Sequence, residues 1–155
     1  MYPTSNIWLT GHSLGGSLAA LLGSTFGLPA VAIEAPGEKM AAHRLHLPLP
    51  PVSPITHLYH TADPIPQGVC NGFGSPCAAA GYALETRCHL GKSIVYDTVS
   101  EYGWRVDVQR HRVREMIVTV LADEREWEEG RNVPEAKAEE DCVVRSSPFR
   151  SFRCL

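Results

Sequence analysis

The sequence predicts an α/β fold with a mostly parallel sheet and flanking helices. Three short apolar runs, at residues 6–10, 30–35 and 55–60, are typical of buried strands. Between the first two, apolar side chains recur at helical spacing from Leu14 to Phe26. Strands that alternate with helices favour a parallel sheet, because each helix carries the chain back to the start of the next strand.

Weaker patterns fill the rest of the chain. A short helix is predicted over residues 38–45 and another over residues 116–121. Residues 94–97 and 104–108 are rich in β-branched and aromatic side chains, and we expect them to form a short pair of strands.

Length and composition fit one soluble globular domain. The chain has 155 residues, 20% of them charged, and a formal net charge of -3, which argues against a nucleic-acid-binding protein. No apolar run is long enough to cross a bilayer, and no signal peptide is visible. After residue 122 the composition becomes acidic and polar. We therefore assign residues 1–122 to the α/β domain and expect residues 123–155 to be a disordered tail.

The cysteines indicate an oxidising compartment. Three of the five, Cys70, Cys77 and Cys88, lie in a stretch rich in Gly, Asn, Ser and Pro. This pattern favours a loop held by disulfides, with Cys142 as a further candidate, and reduced thiols are the alternative. Zinc bound at Cys88 and His89 is disfavoured, because the sequence has no C-x-x-C pair.

The strongest chemical signal is Gly11-His12-Ser13-Leu14-Gly15, which is a G-x-S-x-G motif. Such a motif is weak alone, but here it joins a predicted strand to a predicted helix, as a serine nucleophile requires. Gly11 and Gly15 would let the strand and helix approach in a strained turn. The N–H of Leu14 would help to hold an oxyanion at the helix N-terminus. The alternative is that Ser13 merely caps the helix.

A serine hydroxyl becomes a nucleophile when a histidine accepts its proton and an acidic residue orients that histidine. In α/β-hydrolases the acidic residue follows the serine in the chain, and the histidine follows the acidic residue. Asp63 comes just after the third predicted strand, where loops at the carboxyl ends of strands meet. Asp97 and Asp107 are competing candidates. The alternative role for Asp63 is to start the turn at Pro64.

Two histidines remain as candidates for the base. Five others lie in the motif, before the acid or along its strand: His12, His43, His46, His57 and His60. Of these, His12 is expected to pack beneath the turn. We prefer His111, which follows a predicted strand and precedes a helix, over His89, which lies in the cysteine-bearing loop.

Longer segments extend the pattern beyond the motif: GHSLGGSLA (11–19), IEAPGEK (33–39), LHLPLP (45–50), HTADPIP (60–66), CNG (70–72), CHLG (88–91), YDTV (96–99), VPEAK (133–137) and DC (141–142). Together these segments resemble the fungal autophagy-related vacuolar lipases, which are class 3 lipases. The resemblance implies an α/β-hydrolase, with residues 1–122 as the C-terminal part of the lipase domain and its N-terminal strands missing.

The resemblance also implies a function and a site. It maps a serine, aspartate and histidine triad onto Ser13, Asp63 and His111. It implies hydrolysis of the acyl esters of phospholipids and triacylglycerols, without a metal or an organic cofactor. The substrate would be a lipid or membrane, and the process would be the breakdown of autophagic and multivesicular-body membranes.

The family also sets the expected location and the alternatives. We expect a route through the secretory pathway to the endosomal or multivesicular-body membrane and the vacuole lumen, with a membrane anchor in the missing N-terminal segment. Arg110 and Arg112 depart from the small residues that usually flank the family's histidine. The alternatives are a soluble carboxylesterase or thioesterase, or an inactive fragment that lacks the N-terminal oxyanion loop.

Overall fold

Four parallel strands form the frame of the protein, in the computed structural model that describes residues 5–68 and 87–139. The strands lie side by side in chain order: β1 (Leu9–His12), β2 (Ala30–Ile33), β3 (Ile55–His60) and β4 (Lys92–Tyr96). The helices are α1 (Leu14–Phe26), α2 (Lys39–Arg44), α3 (Thr98–Tyr102), a 3₁₀ helix (Val108–His111) and a π-helix (Glu115–Val120). The expected α/β fold with a parallel sheet is confirmed.

The predicted pairing of residues 94–97 with residues 104–108 is wrong. β4 pairs in parallel with β3 instead, and residues 104–107 form no strand. Here the chain crosses the end of the sheet, where Asp107 N–H donates to the carbonyl of Ala62 at 3.1 Å. The tertiary contact therefore overrides the β-propensity of the segment.

Helix α1 packs on the sheet mainly through small residues, and Leu21 is the one leucine of the helix that is partly buried against the core. Its buried residues are Gly16, Ser17, Ala19, Ala20, Gly23 and Ser24. Leu14 and Phe26, by contrast, are each 67% exposed. The periodic apolar side chains thus predict the helix correctly but not the face that it buries.

Residues 123–139 are packed, which corrects the expectation of disorder for this part of the tail. The indole of Trp127 meets the ring of Tyr96 edge-on, with centroids 5.0 Å apart. Lys137 pairs with Ser93 through two backbone hydrogen bonds of 2.8 and 3.0 Å, which cover the free edge of β4. Within residues 5–68 and 87–139, no helix has the length and apolar character of a membrane span.

Candidate active site

Ser13 stands at the junction of β1 and α1 in a strained conformation. Its φ of 56° lies in the left-handed region, which side chains other than glycine seldom adopt. The turn is held by Ser13 N–H, which donates to the carbonyl of Ile33 at 2.9 Å. The Ser13 side chain makes no capping hydrogen bond to α1, so its hydroxyl has no helix-capping role.

Close packing at the turn explains two glycines, one of which differs from the prediction. A Cβ on Gly11 would lie 2.3 Å from the carbonyl oxygen of Gly15, and a Cβ on Gly16 would lie 2.9 Å from Cβ of Ala35. A Cβ on Gly15 would meet no described atom within 4 Å. The close approach in this turn therefore lies at Gly11 and Gly16 rather than at Gly15.

The structure brings together the three side chains that the sequence singled out. His111 Nε2 lies 2.7 Å from Ser13 Oγ, and His111 Nδ1 lies 2.6 Å from Asp63 Oδ2. A carboxylate only accepts hydrogen bonds, so Nδ1 carries the imidazole proton and Nε2 keeps a lone pair that faces the hydroxyl. This arrangement can take a proton from Ser13.

Asp63 is fully buried and held by more than one donor. Its Oδ1 accepts the N–H of Ile65 at 2.9 Å, so the residue forms the turn at Pro64 and also contacts His111. Burial raises the pKa of Asp63, but the hydrogen bond from His111 and the neighbouring Glu34 carboxyl group outweigh burial and leave the pKa below its usual value. The carboxylate is therefore ionised beside the imidazole.

The neighbours of His111 fix its position. His12 donates from Nε2 to the carbonyl of His111 at 2.9 Å, and the two rings lie 4.8 Å apart. Burial and the nearby His111 lower the pKa of His12, so His12 is neutral. The guanidinium of Arg110 is turned away, 4.0 Å over the ring of Trp104 and 2.8 Å from the Glu115 carboxylate. An arginine before His111 is thus accommodated without entering the site.

The two competing aspartates accept hydrogen bonds from backbone N–H groups at helix ends. Asp97 caps α3 by accepting the N–H of Ser100 at 3.1 Å. Asp107 caps the 3₁₀ helix by accepting the N–H of Gln109 at 2.8 Å. Both carboxylates stabilise helix ends rather than orienting an imidazole.

The competing histidine, His89, lies in a different cluster. Its Nδ1 is 2.6 Å from the Glu139 carboxylate, and its Nε2 is 3.0 Å from the carbonyl oxygen of Ala35. The ring of His57 packs beside it at 4.5 Å, and His57 contacts the Glu38 carboxylate at 3.0 Å. Both His89 nitrogens are thus bonded to other groups than Ser13.

Sequence reasoning missed Glu34, which is fully buried behind Asp63. Its Oε1 lies 3.5 Å from His60 Nε2, and one of its carboxyl oxygens lies within 4.8 Å of a carboxylate oxygen of Asp63. Burial and the neighbouring Asp63 raise the pKa of Glu34 to about 11. A carboxyl group at the end of an apolar strand, at the sheet edge that carries Ser13, was the available signal.

The remaining predicted features of the site are the oxyanion donor Leu14 and the cysteines. Leu14 is the first residue of α1, so its N–H has no partner within the helix, and its role as an oxyanion donor stays a prediction. Cys88 is buried. Cys70, Cys77 and Cys142 lie outside the described residues, and the disulfides stay a prediction.

Two groups of side chains have the spacing of metal ligands. They are Glu34, Asp63 and His111, and Glu38, His57 and His89, with donor atoms within 4.8 Å of one another in each group. In both groups the histidines already make the hydrogen bonds described above.

Comparison with known proteins identifies the family. A profile of the family described as Lipase (class 3) matches residues 1–28. The chain is 59% identical over 138 residues to "Putative lipase ATG15" of Cryptococcus neoformans var. neoformans serotype D (strain B-3501A), an alignment that covers 85% of this chain and 27% of that protein. The protein of the same name from Mycosarcoma maydis is 51% identical over 146 residues, covering 88% and 28%. The chain belongs to the ATG15-like class 3 lipases of fungi.

Family membership accounts for the architecture. Class 3 lipases are α/β-hydrolases, and the parallel sheet with its flanking helices is part of that fold. The ATG15-like chain spans about a quarter of the length of the curated relatives, at 27% and 28% of the two proteins above. No solved structure matches it.

Proposed function

We propose that this lipase-family protein hydrolyses acyl esters of lipids, with Ser13 as nucleophile, His111 as base and Asp63 as the acid that orients the imidazole. The observation that carries the proposal is the continuous hydrogen-bonded path from Asp63 through His111 to Ser13, with contacts of 2.6 and 2.7 Å. The strained backbone at Ser13 supports it, because such strain is typical of a nucleophile displayed at a strand–helix turn.

The proposed reaction follows the geometry. Ser13 Oγ attacks the ester carbonyl while its proton passes to His111 Nε2. The negative oxygen of the tetrahedral intermediate is stabilised by the N–H of Leu14. The intermediate collapses to an acyl-serine as His111 returns the proton to the departing alcohol. A water molecule, deprotonated by the same nitrogen, then attacks the acyl-serine and releases the fatty acid.

The proposed substrates are phospholipids and triacylglycerols. The surface beside Ser13 supports this choice, because Leu14 and Leu18 are 67% and 51% exposed on α1. Apolar side chains next to a nucleophile can contact an acyl chain. A soluble carboxylesterase or thioesterase is the second candidate, which the preference between vesicles and soluble esters would distinguish.

We propose that the protein breaks down autophagic and multivesicular-body membranes in endosomes and the vacuole. Support comes from the ATG15 name of its relatives and from the shared sequence segments. The predicted disulfides would suit such an oxidising compartment.

A covalent probe tests the nucleophile directly. A fluorophosphonate should label the wild-type protein at Ser13, and Ser13→Ala should lose both labelling and hydrolysis of phosphatidylcholine vesicles and p-nitrophenyl butyrate. Ser100→Ala, an exposed serine in α3, is the matched control and should behave as wild type. Labelling that survives in Ser13→Ala would overturn the assignment.

A further inference from the structure

A second carboxyl group, that of Glu34, lies against the proposed triad. Glu34 follows β2 directly, and one of its carboxyl oxygens, one of Asp63 and one nitrogen of His111 lie within 4.8 Å of one another. The Glu34 backbone has a φ of 48°, and its N–H donates to the carbonyl of Leu58 at 2.8 Å. A glutamate is thus held in a strained conformation at the edge of the sheet that carries Ser13.

The groups that face Glu34 carry no fixed positive charge. They are His60 on β3, Asp63 in the turn that follows, and His111 on the 3₁₀ helix. Tyr59, on the opposite face of β3, adds only an uncharged hydroxyl. In the substrate-free triad none of these groups is positively charged if His60 is neutral.

The hydrogen bonds of His60 suit its neutral form. The Thr98 hydroxyl, which accepts the N–H of Ala62 at 3.3 Å, can donate to His60 Nδ1 at 3.2 Å. His60 Nε2 then carries the single ring proton and donates to the carbonyl of Arg110 at 3.3 Å. Burial lowers the pKa of His60, in agreement with this neutral form.

Two buried carboxyl groups in contact cannot both be ionised without a cation. Asp63 accepts hydrogen bonds from His111 and from the N–H of Ile65, so Asp63 holds the negative charge. An ionised Glu34 would bury two carboxylate oxygens that have no hydrogen-bond donor among the described residues. As a neutral acid, Glu34 can instead keep its proton and donate an O–H hydrogen bond to the Asp63 carboxylate.

We propose that Glu34 is a positioning residue that stays protonated and donates a hydrogen bond to Asp63, which keeps that carboxylate ionised and aimed at His111. The inference rests on the proposed triad. It assigns Glu34 no contact with substrate or with Ser13. If the proposal holds, a neutral hydrogen-bond donor at position 34 is enough for full activity, and an apolar side chain of similar size is not.

Two substitutions distinguish this positioning role from a required negative charge and from simple filling of space. Glu34→Gln keeps a buried donor, so kcat/KM for p-nitrophenyl butyrate should stay within about threefold of wild type between about pH 5 and 9. Glu34→Leu removes a hydrogen bond to a charged group and should lower kcat/KM about 10- to 100-fold. Without that donor the pKa of Asp63 rises, so the acid limb of the pH profile should move to higher pH.

Either of two outcomes would overturn the proposal. If Glu34→Gln loses as much activity as Glu34→Leu, the site needs a charge at position 34. If Glu34→Leu keeps wild-type kcat/KM and pH profile, the side chain only fills space. Melting curves recorded for both variants restrict the comparison to temperatures at which they are folded.

A measurement without turnover separates this proposal from the triad itself. Because folding raises the pKa of Glu34, the native protein binds an extra proton and loses stability as pH rises above the usual value of 4.5. The unfolding equilibrium constant of wild type should therefore rise relative to Glu34→Gln by up to about tenfold per pH unit between about pH 5 and 9. The infrared spectrum of wild type should also show a protonated carboxyl band that Glu34→Gln lacks. Parallel stability curves and no such band would refute a protonated Glu34, even if Ser13 is the nucleophile.

Discussion

Two buried clusters in this protein are built from the same chemical groups. In each, an imidazole Nδ1 lies 2.6 Å from a carboxylate, as His111 does from Asp63 and His89 from Glu139. They differ at Nε2, which faces the hydroxyl of Ser13 in the first and the carbonyl oxygen of Ala35 in the second. A hydroxyl can give a proton, whereas a carbonyl can only accept a hydrogen bond. The partner of the second nitrogen therefore decides whether a buried histidine can act as a base.

The second cluster is an ion pair that holds the chain in place. A carboxylate and a carbonyl both require donors, so His89 carries protons on both nitrogens and is positively charged. Burial lowers the pKa of His89, but the hydrogen bond and charge of Glu139 outweigh it and raise the pKa. The same contact lowers the pKa of Glu139 to about 2, against the effect of burial. The pair fastens the residues around Glu139 to the sheet.

One strand supports both clusters. Side chains alternate between the faces of β3, so His57 and Tyr59 point away from His60. His57 and Tyr59 pack on the ring of His89, at 4.5 and 5.3 Å, whereas His60 contacts Glu34 beside Asp63. A single strand can thus serve a reactive site on one face and a structural site on the other.

The largest expected difference between the clusters is in turnover. His111→Gln should lower kcat for p-nitrophenyl butyrate by about 10⁴-fold or more, because the proton acceptor of Ser13 is lost. The matched His89→Gln should keep kcat within about threefold, since its nitrogens contact only structural groups. Both are measured below the melting temperature of the less stable variant. An equal loss of kcat in folded His89→Gln would contradict the assignment of His89 to a purely structural role.

A second difference should appear in the pH dependence of stability. The lowered pKa of Glu139 stabilises the fold fully above its usual value of 4.5, and this contribution is lost towards about pH 2. The raised pKa of His89 stabilises the fold fully below its usual value of 6.5, and this contribution is lost as pH rises through the raised pKa. Between pH 4.5 and 6.5 both contributions are fully present, so in this range Glu139→Gln should lower the free energy of unfolding most, by about 3 kcal/mol.

Urea unfolding at a series of pH values measures this loss. Glu135→Gln is the matched control, because its side chain is 55% exposed and pairs only loosely with Arg131 at 3.6 Å. A stability loss in Glu139→Gln that is independent of pH would show that Glu139 packs without an ion pair.

The difference between the clusters also explains what the sequence reveals. Ser13 and Asp63 carry local signals, a glycine-rich turn and a strand followed by Asp-Pro, and His111 follows from chain order. Glu139 contacts His89 across a separation of 50 residues, from a segment whose polar composition resembles a tail. Glu34 has no motif, because its role depends on a neighbour that only the fold brings close. Local chemistry was thus predictable, and contacts distant in sequence were not.

Helix α1 illustrates the same limit. Its leucines predict an apolar buried face, but the fully buried residues beyond the strained turn at Ser13 are all small, and Leu21 alone among the leucines is partly buried. Gly16 lies at this approach, against Ala35 and the carbonyl of Gly11. The geometry of the turn, rather than hydrophobicity, therefore selects which face is buried.

The smallest expected effects come from the two glycines after Leu14, and they test whether the clusters are joined at Ala35. Ala35 packs against Gly16 and also supplies the carbonyl that binds His89. Gly16→Ala should therefore displace Ala35, cost about 1–3 kcal/mol of stability and lower the pKa of His89 measured by NMR. Gly15→Ala has open space around its Cβ and should stabilise α1 by about 0.5 kcal/mol without moving that pKa. If Gly16→Ala leaves the His89 titration unchanged, Ala35 does not couple the turn at Ser13 to the ion pair. The two clusters would then share their chemical groups but not a structural connection.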